Sequence, residues 1–138
     1  MNKYSHKIIF FGSDLICIPC IKYLHQHGAN SCWELVAIVS QPDRRKGRGQ
    51  SLKSNPVAEY AKLNKIKLFQ PEKPNDSLVQ WMRDQADLSL VMAYGHFLNK
   101  KIREACPLGM YNFHGSKLPK FRGASPIETA LALGESVT

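Results

Sequence analysis

The chain has 138 residues, which is enough for one globular domain with its own core, and its 43% hydrophobic and 22% charged residues are ordinary for a soluble protein. The formal net charge of +8 points to an acidic partner such as nucleic acid or phosphate, although many small proteins are basic without one. No apolar run approaches the roughly 20 residues of a membrane helix, and the first run is too short for a secretory signal, so we exclude a membrane protein and expect a cytoplasmic one.

Apolar runs alternate with helical patterns along the chain. The apolar runs predict strands at residues 7–12, 35–40, 67–70, 88–94 and 110–114. The helical patterns between and after them predict helices at residues 14–27, from Asn55 and Pro56 onward, and at 76–86, 99–105 and 126–133. Gly28 is placed as the C-terminal stop of the first helix, and residues 41–53 are predicted to form a polar loop.

Strands that alternate with helices imply right-handed crossovers, and hence a parallel sheet with helices on both faces. The predicted fold class is therefore α/β, a three-layer Rossmann-like arrangement around a mostly parallel sheet. Only Gly12 remains of the G-x-G-x-x-G fingerprint, so we expect neither a nicotinamide nor a flavin cofactor. In such sheets ligands bind beyond the carboxyl ends of the strands. The segments of interest are residues 12–13, 41–43, 93–95 and 112–114.

The last predicted strand brings Asn112 and His114 to this edge of the sheet. Alternation along a strand places both side chains on one side and Phe113 on the other. An amide can donate a hydrogen bond to a carbonyl oxygen that gains negative charge, and an imidazole exchanges protons near neutral pH. The pair therefore suits attack on a carbonyl carbon, although an Asn–His pair that only satisfies loop backbone is at least as common.

Two long segments carry a resemblance to a known family. Residues 112–127 read N-F-H-G-S-K-L-P-K-F-R-G-A-S-P-I, and residues 41–52 read Q-P-D-R-R-K-G-R-G-Q-S-L. The first resembles the N-x-H-x-S-L-L-P-x-x-R-G-A-x-P-I signature of folate-dependent formyltransferases. The second resembles the Q-P-D-R-x-x-G-R-G-x-x-L segment that follows the second strand of that family. Shorter matches keep the same order at residues 10–14, 55–57, 69–72 and 93–95.

The resemblance implies transfer of a formyl group from 10-formyltetrahydrofolate, the donor substrate, to the amino group of initiator methionyl-tRNA, without a metal. It implies that Asn112 holds the formyl oxygen and that His114 assists proton movement. Folate contacts are implied for Ser116, Lys117, Leu118, Pro119, Ala93, Tyr94 and Gly95. Lys117 departs from the leucine of the family, so its side chain must turn to solvent or meet an anion such as the glutamate tail of folate.

The family pattern also implies polypeptide beyond Thr138. Its third catalytic residue is an aspartate in a G-L-D-T-G segment that follows a T-G-V-T stretch, and residues 136–138 match only the start of that stretch. Residues 1–138 therefore correspond to an N-terminal formyltransferase domain, truncated before its last strands and lacking a C-terminal tRNA-binding domain. We expect residues 1–138 alone to be inactive or nearly so, and we expect a monomer.

Five cations lie in the predicted polar loop: Arg44, Arg45, Lys46, Arg48 and Lys53. A solvated charge run is the ordinary interpretation of such a segment, but this loop leaves the same sheet edge that carries His114. Cations there can clamp a polyanion whose end enters the crevice, and Gly47 and Gly49 let the loop adapt. In the resembling family this loop engages the acceptor arm of tRNA, and the implication is strongest for Arg44.

Three alternatives stay open. A sibling formyltransferase that acts on glycinamide ribonucleotide or an amino-sugar nucleotide would not need a long cationic loop. A thioredoxin-like redox protein would use Cys17 and Cys20, a C-x-x-C at a helix start where one thiol can have a lowered pKa. An RNA-binding module without chemistry fits the charge, but the sequence lacks the stacking aromatics on adjacent strands that such modules use.

Overall fold

The computed structural model describes residues 5–136, and its framework is a parallel sheet between two layers of helices. The described residues form the strands β1 (His6–Phe11), β2 (Trp33–Val39), β3 (Arg44–Lys46), β4 (Ser51–Lys53), β5 (Leu68–Phe69), β6 (Leu88–Met92) and β7 (Met110–Phe113). They also form the helices α1 (Ile18–His27), α2 (Pro56–Leu63), α3 (Asp76–Gln85), α4 (Lys100–Arg103) and α5 (Pro126–Ala132). Val137 and Thr138, which enter the predicted match to the T-G-V-T stretch, lie outside the described residues.

Five of the strands form one sheet in the order β5-β2-β1-β6-β7, and all of its neighbouring pairs are parallel. The chain runs outward from β1 through β2 to β5, then crosses back to β6 on the other side of β1. The strand order therefore reverses between β1 and β6, and such a switch point opens a crevice at the carboxyl ends of the strands. The prediction of a Rossmann-like α/β fold is confirmed.

The two faces of the sheet bury separate apolar clusters. Alternate residues of β1 supply both, since Ile9 and Phe11 pack with α3 and α4, whereas Ile8 and Phe10 pack with α1 and α2. Ile9, Phe10 and Phe11 are fully buried. A central strand covered on both faces reads as a continuous apolar run, which is why the sequence pattern of residues 7–12 predicts it.

Asparagine side chains begin three of the helices. Asn55 accepts hydrogen bonds from the backbone N–H groups of Val57 and Ala58, while Asn75 and Asn99 cap α3 and α4 in the same way. These bonds satisfy N–H groups that have no partner inside a helix. The first predicted helix is a 3₁₀ turn, Leu15–Cys17, followed by α1. Gly28 follows α1 as predicted, but its φ of −56° is right-handed and begins a second 3₁₀ turn.

Several predicted elements differ from the structure in extent, and the last strand ends at Phe113 rather than at His114. The segment 41–53 is not a plain loop, because β3 and β4 pair antiparallel within it. The fourth strand of the main sheet ends at Met92 rather than at Tyr94, since Ala93 and Gly95 have φ angles of 44° and 85° that turn the backbone out of the sheet. The helix predicted at 99–105 is the four-residue α4.

Candidate active site

Hydrogen bonds join the loops after β1, β2 and β6 at the switch point. The Ser13 backbone N–H donates to the Ala93 carbonyl (3.1 Å), and its hydroxyl donates to the Tyr94 carbonyl (3.2 Å). Gln41 closes the junction, because its backbone N–H donates to Ser13 Oγ (3.0 Å) and its side-chain Nε2 to the Tyr94 carbonyl (2.9 Å). Gly95 leaves room for that amide, which a Cβ at its position would strike. These hydrogen bonds hold the three loops together at the carboxyl ends of the strands.

Tyr94 contributes its backbone rather than its ring to this edge. The ring is 3% exposed and meets Phe11 edge-on at a centroid distance of 5.4 Å. Burial raises the pKa of its hydroxyl to about 12, and that hydroxyl has no hydrogen-bond partner among residues 5–136. Of the three predicted folate contacts in this segment, Ala93 and Gly95 are exposed, and the side chain of Tyr94 is part of the core.

Asn112 lies on β7, the strand next to β6 and its following loop. The register pairs it with Val91 of β6, so its side chain lies on the sheet face that α3 and α4 cover. Asn112 is exposed to solvent. Its neighbours Tyr111 and Phe113 lie on the other face and are 61% and 51% exposed. The amide is therefore accessible at the carboxyl end of the sheet, next to the loop that follows β6.

His114 follows the last residue of β7 and is held through both ring nitrogens. Nδ1 lies 2.8 Å from Ser116 Oγ, and Nε2 lies 3.2 Å from the carbonyl oxygen of Gly123. The Ser116 hydroxyl also donates to the Lys120 carbonyl at 2.7 Å. The Gly123 carbonyl can only accept, so Nε2 is the donor in that bond, whereas the direction of the bond between Nδ1 and Ser116 Oγ depends on the proton at Nδ1. The ring is oriented by its own loop.

The loop between His114 and α5 turns tightly through the predicted folate contacts. Lys120 N donates to the Lys117 carbonyl at 3.2 Å, and the peptide bond between Leu118 and Pro119 is cis. Lys117 is exposed, which is the first of the two environments that the sequence allows for its charge. The structure thus brings the residues 116–119 together with His114 through Ser116.

The cationic segment forms a hairpin with two distinct faces. Arg44 lies opposite Lys53, and Lys46 lies opposite Ser51, so three cations share one face. Arg45 lies on the other face, opposite Leu52, and its guanidinium donates to the Gln50 carbonyl at 3.1 Å across the turn. All five predicted tRNA-binding cations are exposed, but Arg45 also stabilises the hairpin itself; the five are Arg44, Arg45, Lys46, Arg48 and Lys53.

Lys62 of α2 joins the two ends of the hairpin. Its Nζ contacts Asp43 Oδ2 and Ser54 Oγ, each at 2.7 Å. Gln70 donates to the other oxygen of Asp43 at 2.7 Å. The hydrogen bond from Lys62, and then that from Gln70, lower the pKa of the Asp43 carboxyl. Lys62 and Gln70 are not recognisable from the sequence, because nothing in their local pattern marks them as partners of Asp43.

The cysteine pair lacks the properties of a redox site. Cys17 is buried, and its thiol donates to the Met92 carbonyl at 3.0 Å. Desolvation raises the pKa of Cys17 and also that of Cys20. Reactive C-x-x-C sites need a lowered thiol pKa and access to the thiolate. This geometry argues against the thioredoxin-like alternative.

A separate cavity of about 930 Å³ lies at the other end of the strands, where their amino termini are. It is bounded by the amino-terminal ends of β1 and β2 and by the residues before β5, among them Lys7, Trp33 and Lys67. Ligand sites of parallel sheets lie at the carboxyl edge, so we assign the site to the edge that carries Asn112. Within residues 5–136 no three metal-binding side chains are grouped, and no helix there is long and apolar enough to cross a bilayer.

The fold and the site together define a Rossmann-like α/β protein whose functional groups gather at the carboxyl edge of its sheet. The family model described as formyl transferase matches residues 6–138, and the chain belongs to that family. It is 43% identical over 135 residues to methionyl-tRNA formyltransferase of Trichodesmium erythraeum, with 96% of this chain and 39% of the relative covered. The corresponding protein of Ruminiclostridium cellulolyticum is 40% identical over 134 residues, with 96% and 42% covered. The chain thus spans about two fifths of these curated relatives.

Solved structures support the same fold at lower sequence identity. Phosphoribosylglycinamide formyltransferase from Bacillus halodurans superposes with a TM-score of 0.70 at 19% identity, over 92% of this chain and 65% of that one. A formyltetrahydrofolate deformylase from Pseudomonas syringae gives a TM-score of 0.66 at 15% identity, over 96% and 43%. At such identities the likeness concerns the fold alone.

Proposed function

We propose that the protein transfers a formyl group from 10-formyltetrahydrofolate to the amino group of initiator methionyl-tRNA. The observation that carries this proposal is the placement of Asn112 and His114 at the carboxyl edge of the sheet, beside the joined loops of the switch point. Membership of the formyl transferase family and the names of its relatives support the choice of reaction and acceptor.

Each group has a definite part in the proposed step. The amine of the aminoacyl end attacks the formyl carbon, and the carbonyl π pair moves onto oxygen, where the exposed amide of Asn112 donates a hydrogen bond. His114 takes a proton from the attacking nitrogen and returns it to the folate nitrogen, whose bond to the formyl carbon then breaks. The products are a formamide and a folate N–H, so no oxidant, reductant or metal is needed.

The loop that follows His114 supplies the proposed donor site. Ser116 ties the imidazole to this loop, so a folate that contacts residues 116–119 lies next to the ring that moves the proton. Ala93 and Gly95 of the neighbouring loop are exposed and complete this side of the edge. The exposed ammonium of Lys117 is available to an anionic part of the donor, such as its glutamate tail.

The cationic hairpin supplies the proposed acceptor site. Arg44, Lys46 and Lys53 share one face, and guanidinium and ammonium groups on such a face bind the phosphates of a nucleic-acid backbone. The hairpin is joined by its base to the loop after β2, which the Gln41 hydrogen bonds hold at the ligand edge. A small amine would not use this face, and we therefore propose tRNA rather than a nucleotide as the acceptor.

Substitution of the two site residues tests the proposal in the full-length protein. We expect Asn112→Ala and His114→Ala each to lower kcat by about 100-fold or more, because one removes the oxyanion donor and the other the proton carrier. Arg44→Ala is expected to raise the KM for methionyl-tRNA while kcat changes little, and Arg83→Ala, which removes the same charge from the exposed side of α3, is the matched control. Formylation of glycinamide ribonucleotide but not of methionyl-tRNA, or full activity without either site residue, would contradict the proposal.

A further inference from the structure

The side chain of Arg44 forms an ion pair with an acidic residue of the same chain. Its guanidinium forms a two-pronged ion pair with the carboxylate of Glu72, with Nη2 to Oε2 at 2.9 Å and Nη1 to Oε1 at 3.4 Å. Paired contacts of this kind are the geometry with which arginine also binds phosphate. The carboxylate therefore lies where a phosphate bound to Arg44 would lie.

Hydrogen bonds tie the segment just before Glu72 to the base of the hairpin. Two residues earlier, Gln70 donates both to the Gln41 carbonyl at 3.0 Å and to Asp43 Oδ1 at 2.7 Å. The segment that carries Glu72 is thus tied to the residue that precedes Arg44. The ion pair adds a second link between this segment and the hairpin, at Arg44, the first residue of β3.

The charges around Arg44 explain why an anion is needed there. Lys53 lies directly opposite Arg44 in the hairpin, and like charges opposite each other in a strand pair destabilise it. A negative group on this face offsets the repulsion when no nucleic acid is bound. Both partners remain accessible to water, since their side chains are 51% and 72% exposed, so the pair is weak and can be exchanged.

We propose that Glu72 is a positioning residue that holds Arg44 ready in the free protein and is displaced by a backbone phosphate of the bound RNA. This inference rests on the proposed function of the hairpin as a tRNA site. Displacement of the carboxylate lowers the affinity for any polyanion, so contacts elsewhere on the RNA must compensate. The glutamate thereby favours an RNA that also engages the rest of the site over one that meets the hairpin alone.

The test is the affinity of the full-length protein for unacylated initiator tRNA, measured by fluorescence anisotropy at fixed ionic strength. We expect Glu72→Gln to lower Kd by about twofold to fivefold, because the phosphate no longer competes with a carboxylate. Glu34→Gln, which removes the same charge from the amino-terminal half of β2, is the matched control and is expected to change Kd by much less. Glu72→Asp retains the charge and is expected to lie close to the unsubstituted protein.

The Arg44→Ala background separates this inference from the proposed function. There, Glu72→Gln is expected to have no further effect on Kd, because the carboxylate has lost the group for which it competes. A gain that persists in that background, or an equal gain from Glu34→Gln, overturns the role of Glu72 while leaving tRNA binding in place. If the unsubstituted protein does not bind tRNA, both the proposed function and this inference fail.

Discussion

The strands β1 and β7 belong to one sheet, yet their surroundings are opposite. Every residue of β1 from Ile8 to Phe11 is buried, between two neighbouring strands and under helices on both faces. Among residues 5–136, β7 pairs only with β6, and Tyr111, Asn112 and Phe113 are all exposed. Buried apolar area is the main favourable term in folding, whereas chemistry requires access to a ligand. Within residues 5–136, β1 therefore supplies stability, and β7 carries Asn112, which we propose as one of the reacting groups.

The largest expected effect tests this division with one type of residue. Phe10→Ala removes a fully buried ring, and we expect it to lower the free energy of unfolding by about 3–5 kcal/mol. Phe113→Ala removes the same ring from the half-exposed edge, and we expect about 1 kcal/mol or less. Urea denaturation followed by tryptophan fluorescence measures both values. Equal losses would mean that β7 carries as much of the core as β1, and the comparison would fail.

The difference in burial between β1 and β7 also determines which features the sequence predicts. A strand covered on both faces is a continuous apolar run, so the sequence at residues 7–12 predicts β1 even when its neighbouring strands are unknown. The parallel order then brings the carboxyl ends together, and this places Asn112, His114 and the residues 93–95 at one edge before any coordinates are considered. Whether Asn112 and His114 act in catalysis stays a prediction.

The hairpin and its partners could not be predicted in the same way. Residues 44–53 are mostly cations and glycines, and such a segment carries no apolar pattern from which β3 and β4 could be recognised. A glycine at position 47 is consistent with a turn, because the φ of 80° found there favours glycine. The contact of Arg44 with Glu72 spans 28 positions in sequence, so it depends on the finished fold.

Ser13 and Ser116 show the same difference between a structural residue and an accessible loop residue. Ser13→Ala removes a hydroxyl that links three loops at the switch point and leaves the backbone N–H of Gln41 without its partner. We expect this change to lower the free energy of unfolding by about 1–3 kcal/mol. Ser116→Ala removes a hydroxyl from the loop after β7, and we expect a change within about 0.5 kcal/mol.

The two serine variants should also differ in where the chain opens. In Ser116→Ala we expect faster tryptic cleavage at Lys117 and Lys120, because their loop loses its bonds to His114 and to the Lys120 carbonyl. The rate of appearance of these fragments, at a protease concentration that leaves the unsubstituted protein intact, measures this local opening. If Ser116→Ala lowers the global stability as much as Ser13→Ala, the loop after β7 belongs to the core.

The base of the hairpin is held by a partly exposed ion pair, and we expect its loss to have a small effect. Hydrogen bonds from Lys62 and Gln70 lower the pKa of Asp43, so its carboxylate stabilises the folded state above the ordinary carboxyl pKa of about 3.9. This contribution is lost as pH falls through the lowered pKa of the folded protein. The Asp43–Lys62 pair is partly exposed, and we expect Asp43→Asn to cost about 1 kcal/mol or less at pH 7.

The sign of the pH dependence distinguishes this anchor from general acid denaturation. The difference in unfolding free energy between Asp43→Asn and the unsubstituted protein should be constant from pH 7 to about 5 and shrink below about 4, where Asp43 becomes protonated. Asp84→Asn on α3 removes the same charge away from the hairpin, and its difference should not follow this curve. A difference for Asp43 that grows on acidification would mean that protonation stabilises the fold, which contradicts a lowered pKa.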